Sequence, residues 1–279
     1  MFESDFLKSL QVLLFLMKSP SILSIQSSVV SGRVGNTVAV PIHTLFGHET
    51  LCINSVVLAA HPGIINASKF VMPTGQMDCL LRELKNVKSA NNIDAIHTGY
   101  LGHKGQVNVI RKHIIKHPET LYIYDPVFGD NGSLYIDEEL AEESKRQLLP
   151  LSTVTTPNVF ESSYLSDICV YDVDSAVKAS KIIQSKGPKW VLTTGVFSEE
   201  NEIADILVGP DDINVFRHKR QRAGISGAGD TLAAILTSLL VSGKTQIEAA
   251  NEACRITQSL IELSQSRQSM PLLTIDLIR

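Results

Sequence analysis

Ala95-Ile96-His97-Thr98, a helical pattern over Gln106–Lys116, Leu121-Tyr122-Ile123-Tyr124, a second helical pattern over Glu138–Leu148, then Thr153-Val154-Thr155: this stretch reads strand, helix, strand, helix, strand. The apolar runs are too short for helices and rich in β-branched and aromatic side chains, whereas the segments between them carry helical periodicity. Parallel strands need crossovers of this length, so the alternation predicts a parallel sheet with helices on its faces. The same reading extends in both directions. Further strands are expected at Ile22–Gln26, Leu51–Val56, Val191–Thr194, Ile203–Val208 and Asn214–Phe216. Helices are expected at Val34–Leu45, Gln76–Lys88, Ser175–Lys186, Gly227–Leu240 and Thr245–Leu263. Gly209-Pro210-Asp211-Asp212 has turn composition, so the strands on either side of it should form an antiparallel hairpin. The expected fold is an α/β three-layer αβα sandwich built on a mostly parallel, doubly wound sheet. No linker-like or repetitive tract divides the chain, so residues 20–279 are read as one domain and residues 1–19 as an N-terminal extension.

The chain has 279 residues, 44% of them apolar and 19% charged, an ordinary globular composition that excludes disorder. With 25 Lys+Arg against 29 Asp+Glu, the net charge of −4 argues against nucleic acid or an anionic membrane as partner. Cys52, Cys79, Cys169 and Cys254 form no Cys-x-x-Cys pair, and the composition suggests reduced, mostly buried thiols in a cytoplasmic protein. His113 and His117 share a helix face without a third ligand type, which reads as a solvated surface pair. The apolar run Leu10–Met17 is too short to span a bilayer and follows Glu3 and Asp5, the wrong sign for a secretory leader. It is either an accessory helix or sequence upstream of a start at Met17. The second is favoured because a strand begins shortly after Met17.

The chemistry concentrates at Gly224-Ile225-Ser226-Gly227-Ala228-Gly229-Asp230-Thr231, which runs into the helix former Leu232-Ala233-Ala234-Ile235-Leu236. A glycine-rich turn entering a helix N-terminus leaves free amides at the positive end of the dipole, and that makes an anion site. A plain helix start with Asp230 as first-turn acid is the simpler alternative. The helix beyond is apolar and small, so it should be buried, which places its N-terminus inside the protein. There an acid beside an anion cradle can take a proton from a hydroxyl. Neither a P-loop nor Gly-x-Gly-x-x-Gly after the first strand is present.

Four stretches resemble pyridoxal kinases of the ribokinase-like superfamily. They are Ser24-Ile25-Gln26-Ser27 with Gly35-Asn36, Asp125-Pro126-Val127-Phe128-Gly129-Asp130, Thr156-Pro157-Asn158 with Glu161, and Gly227-Ala228-Gly229-Asp230. The likeness spans nearly the whole chain. It implies a ribokinase-like fold, transfer of the ATP γ-phosphoryl group to the 5′-hydroxymethyl of pyridoxal, pyridoxine or pyridoxamine, Mg²⁺ as cofactor and a homodimer. A monovalent cation such as K⁺ is common in the superfamily. By the same resemblance Asp230 is the general base, and the amides of Gly227, Ala228 and Gly229 cradle the transferring phosphoryl. Asp125 and Glu161 face Mg²⁺ and the phosphates, with Asn158 nearby, and Thr193 or Thr194 contacts phosphate. Ser27, His61 and Tyr100 match positions that line the vitamer pocket. Asp130 reads equally well as a turn acid or as a site residue. Leu58, Ala60 and Pro62 depart from the family pattern and alter one wall of that pocket. Arg217-His218-Lys219-Arg220-Gln221-Arg222 reads as a solvated loop, the sharper alternative being a basic lid over ATP. Two other functions suit the same residues: a hydroxymethylpyrimidine or sugar kinase, and a non-catalytic vitamer-binding protein. Retention of Asp230 with Asp125 and Glu161 argues against the latter.

Overall fold

The computed structural model describes residues 19–61, 68–87, 92–221, 225–264 and 270–271. The Leu10–Met17 run, Pro62, Arg222 and Gly224 lie outside them.

The long sheet is built from β1 (Ser21–Ser31), β2 (Glu49–Ala60), β3 (Lys69–Val71), β4 (Ala95–Thr98), β5 (Leu121–Tyr124), β8 (Val154–Thr155), β9 (Trp190–Glu199), β10 (Glu202–Val208) and β11 (Ile213–Lys219). β6 (Gly129–Asp130) and β7 (Ser133–Leu134) form a separate small hairpin. The nine-stranded order is β11-β10-β9-β8-β5-β4-β1-β2-β3. The six strands from β9 to β2 pair in parallel, while β3, β10 and β11 are joined at the two edges by antiparallel pairing. The expected doubly wound α/β sandwich is therefore observed, including the hairpin turning at residues 209–212. β3 and the β6–β7 hairpin are too short to leave a periodic signal.

Eight α-helices lie among the described residues: α1 (Asn36–Leu45), α2 (Thr74–Glu83), α3 (Lys104–Ile115), α4 (Glu138–Gln147), α5 (Val159–Ser166), α6 (Val173–Ser185), α7 (Ala228–Val241) and α8 (Gln246–Leu263). Strand alternation divides the core in two. Leu23, Ile25, Tyr122, Tyr124 and Val191 point to the face covered by α2, α3, α4, α5 and α6. Val154, Leu192 and Leu207 point to the face covered by α1, α7 and α8. α7 is buried from Thr231 to Leu240, as its composition requires. Each large apolar side chain so buried contributes about 1.5–3 kcal/mol. None of the helices among the described residues is long and apolar enough to cross a membrane.

Two local features place the site. β4 pairs with β1 only as far as Ile25, so beyond that point β1, β2 and β3 continue as a three-stranded flap past the sheet's carboxyl edge. The β1–β2 register also shifts between Gln26 and Ser28, where a bulge in β2 sets Ser55 and Val56 opposite Ser27.

Some expectations need correction. Arg217–Lys219 belong to edge strand β11 rather than to a loop. Only Cys254 is buried; Cys52 and Cys169 are exposed and Cys79 is intermediate, and none is disulfide-bonded. His113 and His117 stack with ring centroids 4.7 Å apart, but the pair is not fully solvated. The His113 Nε2 is buried without a partner, and burial pushes that imidazole down to about 4.

Candidate active site

The carboxyl edge of the parallel strands, where ligands bind in such sheets, collects the polar residues. β5 ends at Tyr124 and the chain continues into Asp125. β8 ends at Thr155 and continues into Thr156-Pro157-Asn158. β9 passes through Thr193-Thr194, and α7 begins just after Gly227.

Gly227 sits at φ +88°, and a Cβ there would lie 2.0 Å from the Arg33 carbonyl oxygen, so the turn admits only glycine. The first-turn amides that follow have no helical acceptor, and Gly229 is exposed. Asp230 is half-buried at the head of α7, and the nearby Gly35 amide favours the charged form of its carboxyl. Burial raises its carboxyl to about 6, which leaves it mostly ionised at neutral pH.

Asp125 is 5% exposed. Its Oδ1 accepts the Thr156 hydroxyl at 2.7 Å, while its Oδ2 is buried with no partner. Burial first, then the facing charge of Asp230, push Asp125 up to about 8. A buried carboxylate oxygen with no donor, opposed by a second carboxylate, is costly unless a cation lies beside it. These residues therefore fit a cation at this edge. No cluster of three or more His, Cys, Asp or Glu that could cage a metal occurs among the described residues. Mg²⁺ takes one or two carboxylates together with substrate phosphates, and the Asp125 Oδ2 offers one such oxygen.

Glu161 is placed otherwise than a simple metal ligand would be. Its Oε1 accepts the Phe128 and Gly129 amides at 3.1 and 3.4 Å, and its Oε2 accepts the Asn158 amide at 2.9 Å. With the Asn158 side chain accepting the Glu161 amide, this is the capping box of α5. Burial and the neighbouring Asp125 hold the Glu161 carboxyl well above its ordinary range. The Asn158 Nδ2 donates to the Gly129 carbonyl at 2.8 Å. Both residues thus brace the loop that carries Asp125 and the β6–β7 hairpin. Asp130 resolves to the turn reading: it is exposed and accepts the Asn131 amide at 2.7 Å.

Thr193 does not reach the edge. It is fully buried, and its hydroxyl lies 3.1 Å from that of Ser162 and 2.9 Å from that of Ser180. The alternation of β9 leaves Thr194 half-buried beside Asn158, to which it bridges, so of the two threonines only Thr194 is placed to meet a ligand.

On the flap side, Ser27 is buried at the bulge, and a Cβ on Gly35 would lie 2.2 Å from its carbonyl oxygen. The His61 Nδ1 lies 3.4 Å from the Ser226 hydroxyl, at the entry to the Gly227 turn. Leu58 packs into a small apolar cluster with Val29, Val34 and Val56, against which Tyr100 rests. Tyr100 stacks on Tyr135, with centroids 6.3 Å apart and planes at 27°.

Thr156, Gly35 and Tyr135 were not picked out as site residues from the sequence. Thr156 and Gly35 sit inside quoted motifs, and their bonding to Asp125 and Asp230 was the missing signal. Tyr135 has no motif; it is half exposed, and its ring stacks on Tyr100 beside the site. The basic run is structural where described. Arg217 lies 3.5 Å from Glu202, His218 lies 3.5 Å from Asp205, and Gln221 donates to Glu262 at 3.2 Å.

Comparison with known proteins agrees with this geometry. The sequence model of the family described as phosphomethylpyrimidine kinase matches residues 64–272. A pyridoxine/pyridoxal/pyridoxamine kinase of Bordetella avium is 30% identical over 260 residues, 90% of this chain and 88% of that protein. A pyridoxal kinase of Arabidopsis thaliana is 31% identical over 77% of this chain and 72% of its own length. The structure of Leishmania donovani pyridoxal kinase in complex with ADP and pyridoxamine superposes with a TM-score of 0.83 at 26% identity, covering 88% of this chain and 87% of that one. An acid at the head of a buried helix, a facing aspartate with an unpartnered oxygen and these likenesses lead to one statement: the chain belongs to the pyridoxal kinase family.

Proposed function

We propose that the protein is an ATP-dependent kinase that phosphorylates the hydroxymethyl group of a vitamin B6 vitamer (pyridoxal, pyridoxine or pyridoxamine). The observation that carries this is the ionisable Asp230 at the head of α7, where the first-turn amides emerge opposite Asp125. Asp230 accepts the proton of the substrate hydroxyl as its oxygen attacks the γ-phosphorus. The bond from that phosphorus to the β–γ bridging oxygen breaks, and ADP leaves. The amides of Gly227, Ala228 and Gly229 receive the charge that spreads over the transferring group, so the protein's share is positioning and electrostatics. Thr194 supplies a hydroxyl to the nucleotide phosphates. Ser27, His61 and Tyr100 bound the vitamer, with Leu58 and Ala60 forming an aliphatic wall.

Mg²⁺ fits at the Asp125 Oδ2 with Thr156 beside it, and there it would neutralise phosphate charge. Glu161 and Asn158 hold that loop, and Glu161 would add negative charge near the metal. The family likeness also carries a monovalent cation such as K⁺, for which no residue is assigned. The reading also carries a homodimer and a cytoplasmic location, the latter supported by four thiols without a disulfide.

The test is ATP consumption with pyridoxal, pyridoxine, pyridoxamine and hydroxymethylpyrimidine compared side by side, in the parent and in Asp230→Asn. The expected result is turnover with at least one B6 vitamer and a loss of about 10²–10⁴-fold in kcat in the variant, the usual weight of a general base. Exclusive use of hydroxymethylpyrimidine would reassign the substrate, and full activity in Asp230→Asn would overturn the catalytic reading.

A further inference from the structure

We propose that Arg33 is a positioning residue for phosphoryl transfer, acting by clamping the phosphoryl cradle to residues 33–35 through Met270. This rests on the kinase reading above and assigns a role to a residue that no motif marks.

Three contacts converge on this short segment. The Arg33 carbonyl oxygen packs so closely on Gly227 that no side chain fits between them. Two residues on, the Gly35 amide lies near the Asp230 carboxylate and favours its charged form. The Arg33 guanidinium turns the other way, and its Nη1 donates to the Met270 carbonyl at 2.6 Å. Met270 is itself fully buried in the core cluster beneath α7, and its amide donates to the Ser226 carbonyl at 3.4 Å. Arg33, Met270 and Ser226 thus close a ring around the Gly227 turn: Arg33 side chain to Met270, Met270 to the residue before the turn, and Arg33 backbone against the turn itself.

The placement of the guanidinium argues against direct phosphate contact. It lines a shallow depression with Thr37, Pro41, Thr231, Leu260 and Pro271, between α1, α7 and α8. The cleft lies on the other side of the turn, where Asp230 faces Asp125. Arg33 therefore acts on the cradle from behind. A glycine-containing turn at positive φ has little rigidity of its own, and the transition state requires its amides to be held within a fraction of an ångström.

The experiment measures steady-state kinetics and amide hydrogen exchange in Arg33→Met, which keeps the aliphatic stem and removes the donor, and in Arg33→Lys, which restores one donor. In Arg33→Met, kcat should fall about 10- to 100-fold while KM for ATP and vitamer stays within about twofold, the pattern of a lost transition-state interaction. Exchange should quicken at the amides of Ser226–Asp230 and stay at parent rates in the interior of α7. Arg33→Lys should recover most of kcat. Arg33→Gln, too short to span to Met270, carries the same expectation as the methionine variant if that variant fails to fold. Parent-like kcat, a general quickening of exchange, no recovery by lysine, or failure of both Arg33→Met and Arg33→Gln to fold would each overturn the proposal. The kinase reading fails separately, through an active Asp230→Asn.

Discussion

At the residue scale, the proposed function rests on two carboxylates in different surroundings. Asp230 is half-buried, and nearby backbone amides offset part of the burial, so its carboxyl rises only to about 6. Asp125 is almost fully buried with one oxygen unpartnered, and rises to about 8. The first can serve as a base near neutral pH; the second needs a cation to stay ionised there. Because the deprotonated form of Asp230 accepts the hydroxyl proton, kcat/KM for the vitamer should climb as pH rises through about 6 and level off above it. A pH–rate profile checks this, and a profile flat between pH 5 and 7 would remove Asp230 as the base. Asp230 itself was legible from sequence, since a glycine-rich turn before a helix is a local signal. The unpaired oxygen of Asp125 was not, because it exists only once Thr156 and Asp230 surround that side chain.

At the element scale, strand alternation decides which residues matter. Thr193-Thr194 reads as two equivalent hydroxyls until β9 is placed. One then belongs to a buried cluster with Ser162 and Ser180, and the other emerges beside Asn158. Thr194→Val should raise KM for ATP or lower kcat about tenfold, the size of one lost hydrogen bond to a charged group. Thr193→Val should leave KM for ATP unchanged and cost about 1–2 kcal/mol of stability, because two buried hydroxyls lose a partner. Urea unfolding of both variants beside their kinetics separates the two roles; equal effects on KM would reject the assignment. Glu161 teaches the same lesson. An acid three residues after Asn158 is a capping-box spacing, a signal present in the sequence, yet the family likeness directs attention to the metal. The structure shows the cap, which also ties down Phe128 and Gly129.

At the scale of the whole molecule, a buried polar chain joins the sheet to the helix that carries Asp230. The Ser24 hydroxyl donates to Asn36 at 2.7 Å, Gln26 lies 3.2 Å from His97, His97 lies 3.4 Å from His43, and His43 lies 2.8 Å from Ser238 of α7. Burial lowers both imidazoles, His97 to about 3 and His43 well below its ordinary value. The folded state then binds fewer protons than the unfolded chain below about pH 6.5, so stability is retained above that pH and lost as pH falls. For His97 the loss between pH 7 and pH 5 is about 2 kcal/mol. Asp125 acts with the opposite sign: its raised pKa makes the folded state hold a proton that the unfolded chain has released, so its burial costs stability as pH rises. Urea midpoints at pH 5 and 7 for the parent and His97→Gln isolate the histidine contribution. The variant should show a shallower acid loss, and identical slopes would show that His97 does not set it.

What the sequence determined by itself was the order of strands and helices, the turn at 209–212, and the Gly227–Asp230 and Thr156–Glu161 segments, because these depend on neighbours in the chain. Side-chain period and turn chemistry are local. Only the tertiary structure decided that β1 continues past the sheet into a flap, that Thr193 is sealed off while Thr194 is not, and that Asp125 keeps an oxygen without a donor. It also decided that Met270 returns under Ser226, far along the chain. Each of these depends on groups brought together from distant positions, where burial and the count of available donors fix a side chain's state, and no local pattern records that count.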